Sequence, residues 1–233
     1  MYFYHTTEIW LQFPQLVPGL MVVDGIHPEL HAEASLQPWF QRAHERLSKG
    51  SESQMPEIAA WRRAYSQMGL KPSKYRSAAE ALLRRFKRES DLPRLHPLVD
   101  LCNAVSIAFA LPVAVFDLDS IEEYLEVCHA QGTERYLAFN DEIETPSPDE
   151  VIFRDAANQV HARRWTFRQS RLSTVRPETA HALIISEGLH ETASRDVPEL
   201  IEALSRQIAA LGASPRCQNI LSAQNPRYDF ESM

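Results

Sequence analysis

The stretch YRSAAEALLRRFKRESDLPRLHPLVDLCNAVSIAFALPVAVFDLD, Tyr75 to Asp119, carries three patterns in succession. Ser77 and Glu80 have the spacing of a capping box, and Ala78, Ala81, Leu82 and Leu83 are strong helix formers, which predicts a helix over Ser77–Arg88. Arg84, Arg85, Lys87 and Arg88 lie on its other side. His96 to Ala110 is nearly all apolar and predicts a buried helix, on which Asp100, Asn103 and Ser106 recur every third residue and share one side. A polar stripe on a buried helix must face hydrogen-bond partners or a pocket. From Leu111 the run PVAVFDL changes to a strand-like pattern, so helix and strand meet within one segment.

Working outward, AEASLQPWFQRAHERL places Leu36, Trp39, Phe40, Ala43 and Leu47 on one helical face. PEIAAWRRAYSQMG opens on Pro56 as a helix start and closes on Gly69 as its stop, with Ile58, Trp61 and Tyr65 as its apolar face. The opening segment EIWLQFPQLVPGLMVVDGI is rich in β-formers punctuated by Pro and Gly, and predicts two short strands from about Glu8 to Ile26. Downstream come the β-like runs YLEVCHA, RYLAF, EVIFRD, QVHARRWTF and HALIISEG, and then an amphipathic helix, Val197 to Leu211, with Leu200, Ile201, Leu204, Ile208 and Leu211 inward. The fold class is α+β, expected as one domain over residues 1–222 with a mobile polar tail over 223–233.

With 233 residues and 44% hydrophobic content the chain can bury a sizeable core. No stretch approaches the ~20 apolar residues of a membrane span, and the N-terminus lacks the basic start and apolar middle of a secretory signal, so a cytoplasmic protein is expected. Cys102, Cys128 and Cys217 form no CxxC or zinc pattern and read as reduced thiols. His27 and His31 have the separation of zinc ligands on a helix, but Pro28 stands where a metalloprotease would place its Glu and no third ligand is evident. GxSxG, HExxH and Walker motifs are absent from the sequence. Neither a metal nor a cofactor is expected.

The net charge of −7 is unevenly spread. Lys71 to Arg88 holds seven Lys/Arg against one Glu, and Arg163 to Arg176 holds five Arg and no acid, giving +11 in two segments and −18 elsewhere. Such a molecule can bind phosphate locally while its body repels polyanions, which suits a selective RNA contact. Two solvated faces are the alternative reading.

Val99-Asp100 with Asn103, then Leu111-Pro112 and Phe116-Asp117, then Asp155 and Thr179, together with RRWTFRQ at 163–169, resemble the tRNA-editing (B3/B4) domain of the phenylalanyl-tRNA synthetase beta chain in its freestanding form. The resemblance implies a β-sandwich-like mixed sheet core flanked by helices, and an aminoacyl-tRNA deacylase acting in trans. An aminoacyl ester is already activated, so such a site needs to hold the terminal ribose and the carbonyl while orienting one water, without a nucleophile.

The family match makes Asn103 the first catalytic candidate, its amide orienting the carbonyl, the ribose or the water; the alternative is a satisfied buried amide. Asp100, one turn earlier, reads as structural. Glu187, in IISEG, stands near the synthetase's functional Glu: matching from Thr179 puts Ile185 there, and Glu187 needs a two-residue shift. A carboxylate there can hold the α-ammonium or a cationic side chain. Glu134 is a second candidate of the same kind. Arg163, Arg164, Arg168 and Gln169 are implied to bind terminal phosphates and ribose, with Trp165 or Phe167 stacking the terminal adenine. Lys71, Lys74, Tyr75, Arg76, Arg84, Arg85, Lys87 and Arg88 would approach the acceptor stem.

Where the synthetase domain carries a His, this chain has Val113, Ala114 and Val115, a departure that separates it from the synthetase's His role and tyrosine specificity. Freestanding members include deacylases that remove canavanine from arginine tRNA, which makes canavanyl-tRNA(Arg) the substrate expectation; tyrosyl-tRNA(Phe) or another noncognate pair stays open. An oxygen-for-methylene distinction calls for a polar contact that only canavanine satisfies. The partner is the charged acceptor end of a tRNA, with neither DNA nor membrane expected. A non-catalytic carrier of charged tRNA, or a hydrolase of small aminoacyl esters, are the competing readings.

Overall fold

The computed structural model describes residues 1–230. The N-terminal part runs β1 (Tyr2–His5), α1 (Thr7–Gln12), β2 (Val17–Asp24), α2 (Glu33–Ser48), α3 (Pro56–Gln67), α4 (Ala78–Glu89) and α5 (Pro97–Phe109). Strands follow: β3 (Val113–Asp117), β4 (Tyr124–His129), β5 (Arg135–Leu137), β6 (Ile143–Glu144), β7 (Val151–Asp155), β8 (Gln159–Arg163), β9 (Arg168–Gln169) and β10 (His181–Gly188). The chain ends on α6 (Ala193–Ala210), β11 (Ser214–Ile220) and β12 (Arg227–Asp229). It is a mixed α+β fold, as the alternation of periods predicts.

Two sheets stack. The larger has the order β12-β1-β4-β7-β8-β5-β6, with β9 added on β8, and is mixed because β1 runs parallel to β4 and β5 parallel to β8. The smaller, β11-β2-β10-β3, is antiparallel throughout. Alternation along each strand divides the apolar side chains between two cores. Leu183 and Ile185 of β10 and Leu20 and Val22 of β2 meet Phe3, Leu125, Val127 and Phe153 of the larger sheet. Ile184, Met21 and Val23 point the other way, into a layer of α2, α4, α5 and α6 that buries Leu36, Phe40, Leu83, Leu101, Val105 and Leu204. The result is three layers, helices, small sheet and large sheet. α6 lies close on the small sheet because Gly19 and Gly188 have no side chain: a Cβ on Gly19 would stand 2.7 Å from Val197 and Ile201, and one on Gly188 2.8 Å from Ala193.

Several elements depart from expectation. The opening is not two strands between Glu8 and Ile26. Its first strand is β1, where Phe3 and His5 alternate inward, and Glu8–Gln12 is helical because Ile9 and Phe13 need a four-residue spacing to reach one core. QVHARRWTF does not run on as a strand, since β8 ends at Arg163. α6 begins at Ala193 rather than Val197, with Pro198 tolerated in its first turns. Part of the stretch expected as a mobile tail is sheet: β12 pairs antiparallel with β1 and Phe230 is buried, while residues 231–233 lie outside the described residues. Among the described residues no helix is long and apolar enough to cross a membrane.

Candidate active site

The polar stripe on α5 resolves into three different fates. Asp100 accepts the Leu95 N–H at 2.8 Å, and burial pushes its carboxyl above the usual range. Ser106 donates to the Leu111 carbonyl at 2.6 Å. Asn103, between them, is half-buried, makes no side-chain hydrogen bond among the described residues, and opens on a cavity of about 440 Å³. Val99 of α5, Val113 and Val115 of β3, Phe139, Gln169 and Thr174 complete most of its wall.

β3 separates this cavity from a second one. It is the last strand of the small sheet, paired only with β10, and successive side chains point to opposite faces. Val113 and Val115 line the Asn103 cavity, whereas Ala114 and Phe116 line a narrow cleft of about 70 Å³ between the two sheets. Val113 and Gln169 belong to both walls. The Gln169 amide donates to the Val115 carbonyl at 2.7 Å and the Ser173 carbonyl at 3.2 Å. Because the N–H and C=O of one residue in an antiparallel strand point the same way, the Val113 and Val115 N–H groups face that same free edge.

Glu187 lines the cleft beside Ile185. The two residues that compete for the synthetase's Glu are two apart on β10 and therefore share a face, so either register leads into this cleft. The carboxylate is 2% exposed and held from two sides, by His5 Nε2 at 2.6 Å and by the Trp165 indole N–H at 2.9 Å. The Trp61 indole N–H donates to its backbone carbonyl at 3.3 Å. His5 and Trp61 are site residues that the sequence does not reveal: nothing local marks β1 as a strand, and Trp61 reads only as helix core.

Trp165 reaches Glu187 through an unusual turn. Between β8 and β9 the chain reverses with Arg164 at φ 47° and Trp165 at φ 59°, left-handed values rare for side chains of this size. Trp165 is fully buried and packs edge-on against Trp61 and Phe13, its ring centroids 4.9 and 4.8 Å from theirs. It does not offer a face to a nucleobase. Phe167 lines the cleft and meets Tyr75 edge-on at 5.4 Å.

The remaining candidates divide. Glu134 is fully buried and spent on the Gln131, Gly132 and Thr133 N–H groups at 2.7 to 3.1 Å; burial alone would raise its pKa, but these donors outweigh it and hold the carboxyl below the usual range. It lines neither cavity. Arg163 is also buried, paired with Glu150 at 2.8 Å and with Glu144. Arg168 lines the cleft with its side chain partly exposed, 3.5 Å from Glu144. Asp155, from the family motif, accepts from His161, Gln159 and Glu122, and Asp117 accepts from Thr179 at 2.9 Å.

The two basic segments, far apart in sequence, are joined at the mouth of the cleft. The Arg164 guanidinium lies 4.8 Å over the Tyr75 ring, the Ala78 N–H at the start of α4 donates to the Thr166 carbonyl at 2.8 Å, and Ala78 lines the cleft. From there α4 runs outward for about 15 Å to Arg88. Arg84, Arg85, Lys87 and Arg88 are exposed and share two carboxylates, Glu52 and Glu89. Arg76 leans on Glu80 at 3.6 Å, while Lys71 and Lys74 are exposed.

His27 and His31 lie in the loop before α2, not on a helix. Among the described residues Glu57, His190 and Asp196 bring ligand atoms within 4.8 Å of one another, but Arg46 takes both Glu57 oxygens at 2.7 Å and Asp196 is engaged by His190 and Thr192. Burial pushes the Cys102 thiol far up and Cys128 up to about 12, so neither is a nucleophile at neutral pH.

A family model described as the B3/4 domain matches residues 60–207. Among solved structures, an N-terminal fragment of the phenylalanyl-tRNA synthetase beta-subunit from Pyrococcus horikoshii shares the fold with a TM-score of 0.50 at 13% identity, covering 91% of this chain. The match spans 49% of that fragment, so this chain corresponds to about half of it. No curated protein matches in sequence.

Proposed function

Because the chain belongs to the B3/4 domain family, we propose that it is an aminoacyl-tRNA deacylase that acts in trans on a mischarged tRNA. The observation that carries this reading is the pair of cavities meeting at Val113 and Gln169, one with an unengaged amide at Asn103 and the other with a fixed carboxylate at Glu187. An aminoacyl ester has two unlike ends, and the site offers two unlike seats. The aminoacyl group enters the cleft toward Glu187 and the ribose end stays on the Asn103 side, so the ester lies across the free edge of β3.

There the Val113 N–H and the Asn103 amide are the donors for the carbonyl oxygen as negative charge develops on it. Water attacks the carbonyl carbon, the bond to the ribose oxygen breaks, and the proton from water ends on that oxygen, leaving free amino acid and tRNA. The side-chain end meets a carboxylate, which favours a cationic or hydrogen-bond-donating group over an apolar one. Canavanine, with its guanidinium-like terminus, fits that chemistry, and canavanyl-tRNA(Arg) is the substrate of choice. Arg164, Tyr75 and the exposed face of α4 lie where the acceptor stem would pass.

The test is deacylation of purified canavanyl-tRNA(Arg), arginyl-tRNA(Arg) and tyrosyl-tRNA(Phe) side by side. Release of canavanine alone supports the reading. Release of tyrosine alone keeps the reaction class and replaces the substrate, whereas tRNA binding without release from any of the three makes the protein a carrier and refutes the enzyme.

A further inference from the structure

Four large apolar side chains are notably exposed among the described residues, Leu11, Leu95, Phe139 and Ile143. Two of them, Leu95 at 70% and Phe139 at 58% exposure, stand on the rim of the Asn103 cavity, and Ile143 belongs to the same β5–β6 hairpin as Phe139. Scattered single exposures need no explanation, but an aromatic ring and a leucine at the mouth of one cavity that also holds an unengaged amide do.

The hairpin that carries Phe139 is anchored. Ser170 donates to the Leu137 carbonyl at 2.9 Å, the Ala138 N–H donates to the Glu142 carbonyl at 2.9 Å, and Arg171 pairs with Asp141 at the tip. Phe139 therefore projects from a backbone held on both sides rather than from a free loop tip. In the cavity wall the buried His96 accepts the Leu98 N–H on Nδ1 at 3.3 Å, which fixes the ring at the start of α5. The cavity thus combines an exposed ring, an apolar lip and an unengaged amide at Asn103. Arg171 and Arg176 belong to the adjoining basic segment, and Arg176 is exposed.

We propose that this cavity is the seat of the 3′-terminal nucleoside of the tRNA, with its base stacked on Phe139 against Leu95 and its ribose turned inward toward Asn103. The proposal rests on the editing reading for the identity of the ligand and shares Asn103 with it, but Phe139 and Leu95 have no part in that reading. Every base has a π-face that stacks on an aromatic side chain, so an exposed ring beside a cavity with a free amide suits the invariant end of a tRNA. Of the aromatic residues in the RRWTFRQ segment, Trp165 is buried against Glu187 and Phe167 is engaged with Tyr75, which leaves Phe139 as the available platform. A volume of about 440 Å³ accommodates a nucleoside, while the cleft of about 70 Å³ does not.

The experiment measures the Kd of the intact protein for one uncharged tRNA prepared with its full CCA end and for the same tRNA trimmed to CC. The expected result is about 10- to 100-fold tighter binding of the full end, the range that stacking of one base supplies. Phe139→Ala should reduce that ratio to within about twofold, with unchanged thermal unfolding because the ring is exposed, and Phe139→Tyr should restore it. Equal affinity for the two tRNAs, or a ratio that survives Phe139→Ala, overturns the proposal. A Phe139-dependent ratio in a protein that releases no amino acid from any charged tRNA upholds the nucleoside seat and sinks the editing reading. Hydrolysis whose KM ignores Phe139→Ala, with no CCA preference, does the reverse.

Discussion

Replacing Asn103 by alanine should cost almost no stability and nearly all of the turnover. Asn103 is the one member of the α5 stripe without a partner among the described residues, so its removal breaks no hydrogen bond among them, and its half-buried position limits any cavity. Alanine is the better helix former by up to about 0.7 kcal/mol, which puts the expected change between neutral and slightly stabilising. Its neighbours give the internal scale. Asp100→Ala removes the acceptor of the Leu95 N–H and should cost about 1 kcal/mol, and Ser106→Ala, which strands the buried Leu111 carbonyl, about 1–3 kcal/mol. Urea denaturation of the three variants reads these values at one pH. If the amide stabilises charge on the ester carbonyl, single-turnover deacylation by Asn103→Ala should fall about 10²- to 10³-fold, the cost of removing one such donor. Two results would refute the reasoning: a loss of more than about 2 kcal/mol of stability, which would make Asn103 a structural amide, or turnover within a few fold of wild type.

Gly19→Ala drives a Cβ to 2.7 Å from the branched side chains Val197 and Ile201, which cannot swing away on a helix; the expected cost is about 1–3 kcal/mol in urea, and an unchanged midpoint would mean that α6 is not held this close. Below about pH 4 the fold should weaken. Burial raises Asp155, Glu134 and Asp196, but hydrogen bonds from His161, from backbone N–H groups and from Thr192 outweigh it and depress all three, so the stability they supply is present above the ordinary carboxylate range and is lost as pH falls through their lower folded values. Glu80 and Asp100, raised by burial, offset part of this. Asp155→Asn should lower the urea midpoint at pH 7 and flatten its acid decline, and parallel curves for variant and wild type would count against the assignment. Arg84→Ala combined with Arg88→Ala should weaken tRNA binding regardless of the amino acid attached and reduce the salt slope by about 1 for each phosphate no longer neutralised, whereas an unchanged slope removes α4 from the interface.

The α5 helix and its stripe were legible because an apolar run with polar residues every third position leaves no other burial geometry, and the β-rich second half because its strands alternate. What stayed hidden depends on partners distant in sequence. β1 is four residues long and is defined by β4 and β12, both more than a hundred residues away, so nothing local distinguishes Tyr2–His5 from a tail. Arg163 reads as a free cation until Glu144 of β6 and Glu150, just before β7, claim it.

Trp165 is the most instructive of these. RRWTFRQ by itself reads as offering an exposed stacking ring, and only the left-handed turn at Arg164 and Trp165 sends that ring inward. Two non-glycine residues in that conformation cost about 1–3 kcal/mol each. The strain is held by the packing of Trp165 between Phe13 and Trp61 and by its indole N–H on Glu187. A glycine loop would take the same path without strain but would leave Glu187 with one donor fewer. The turn therefore couples the position of the cleft carboxylate to the basic segment that carries Arg164, so on the proposed reading a change at Arg164 or Tyr75 should be felt at Glu187 as well.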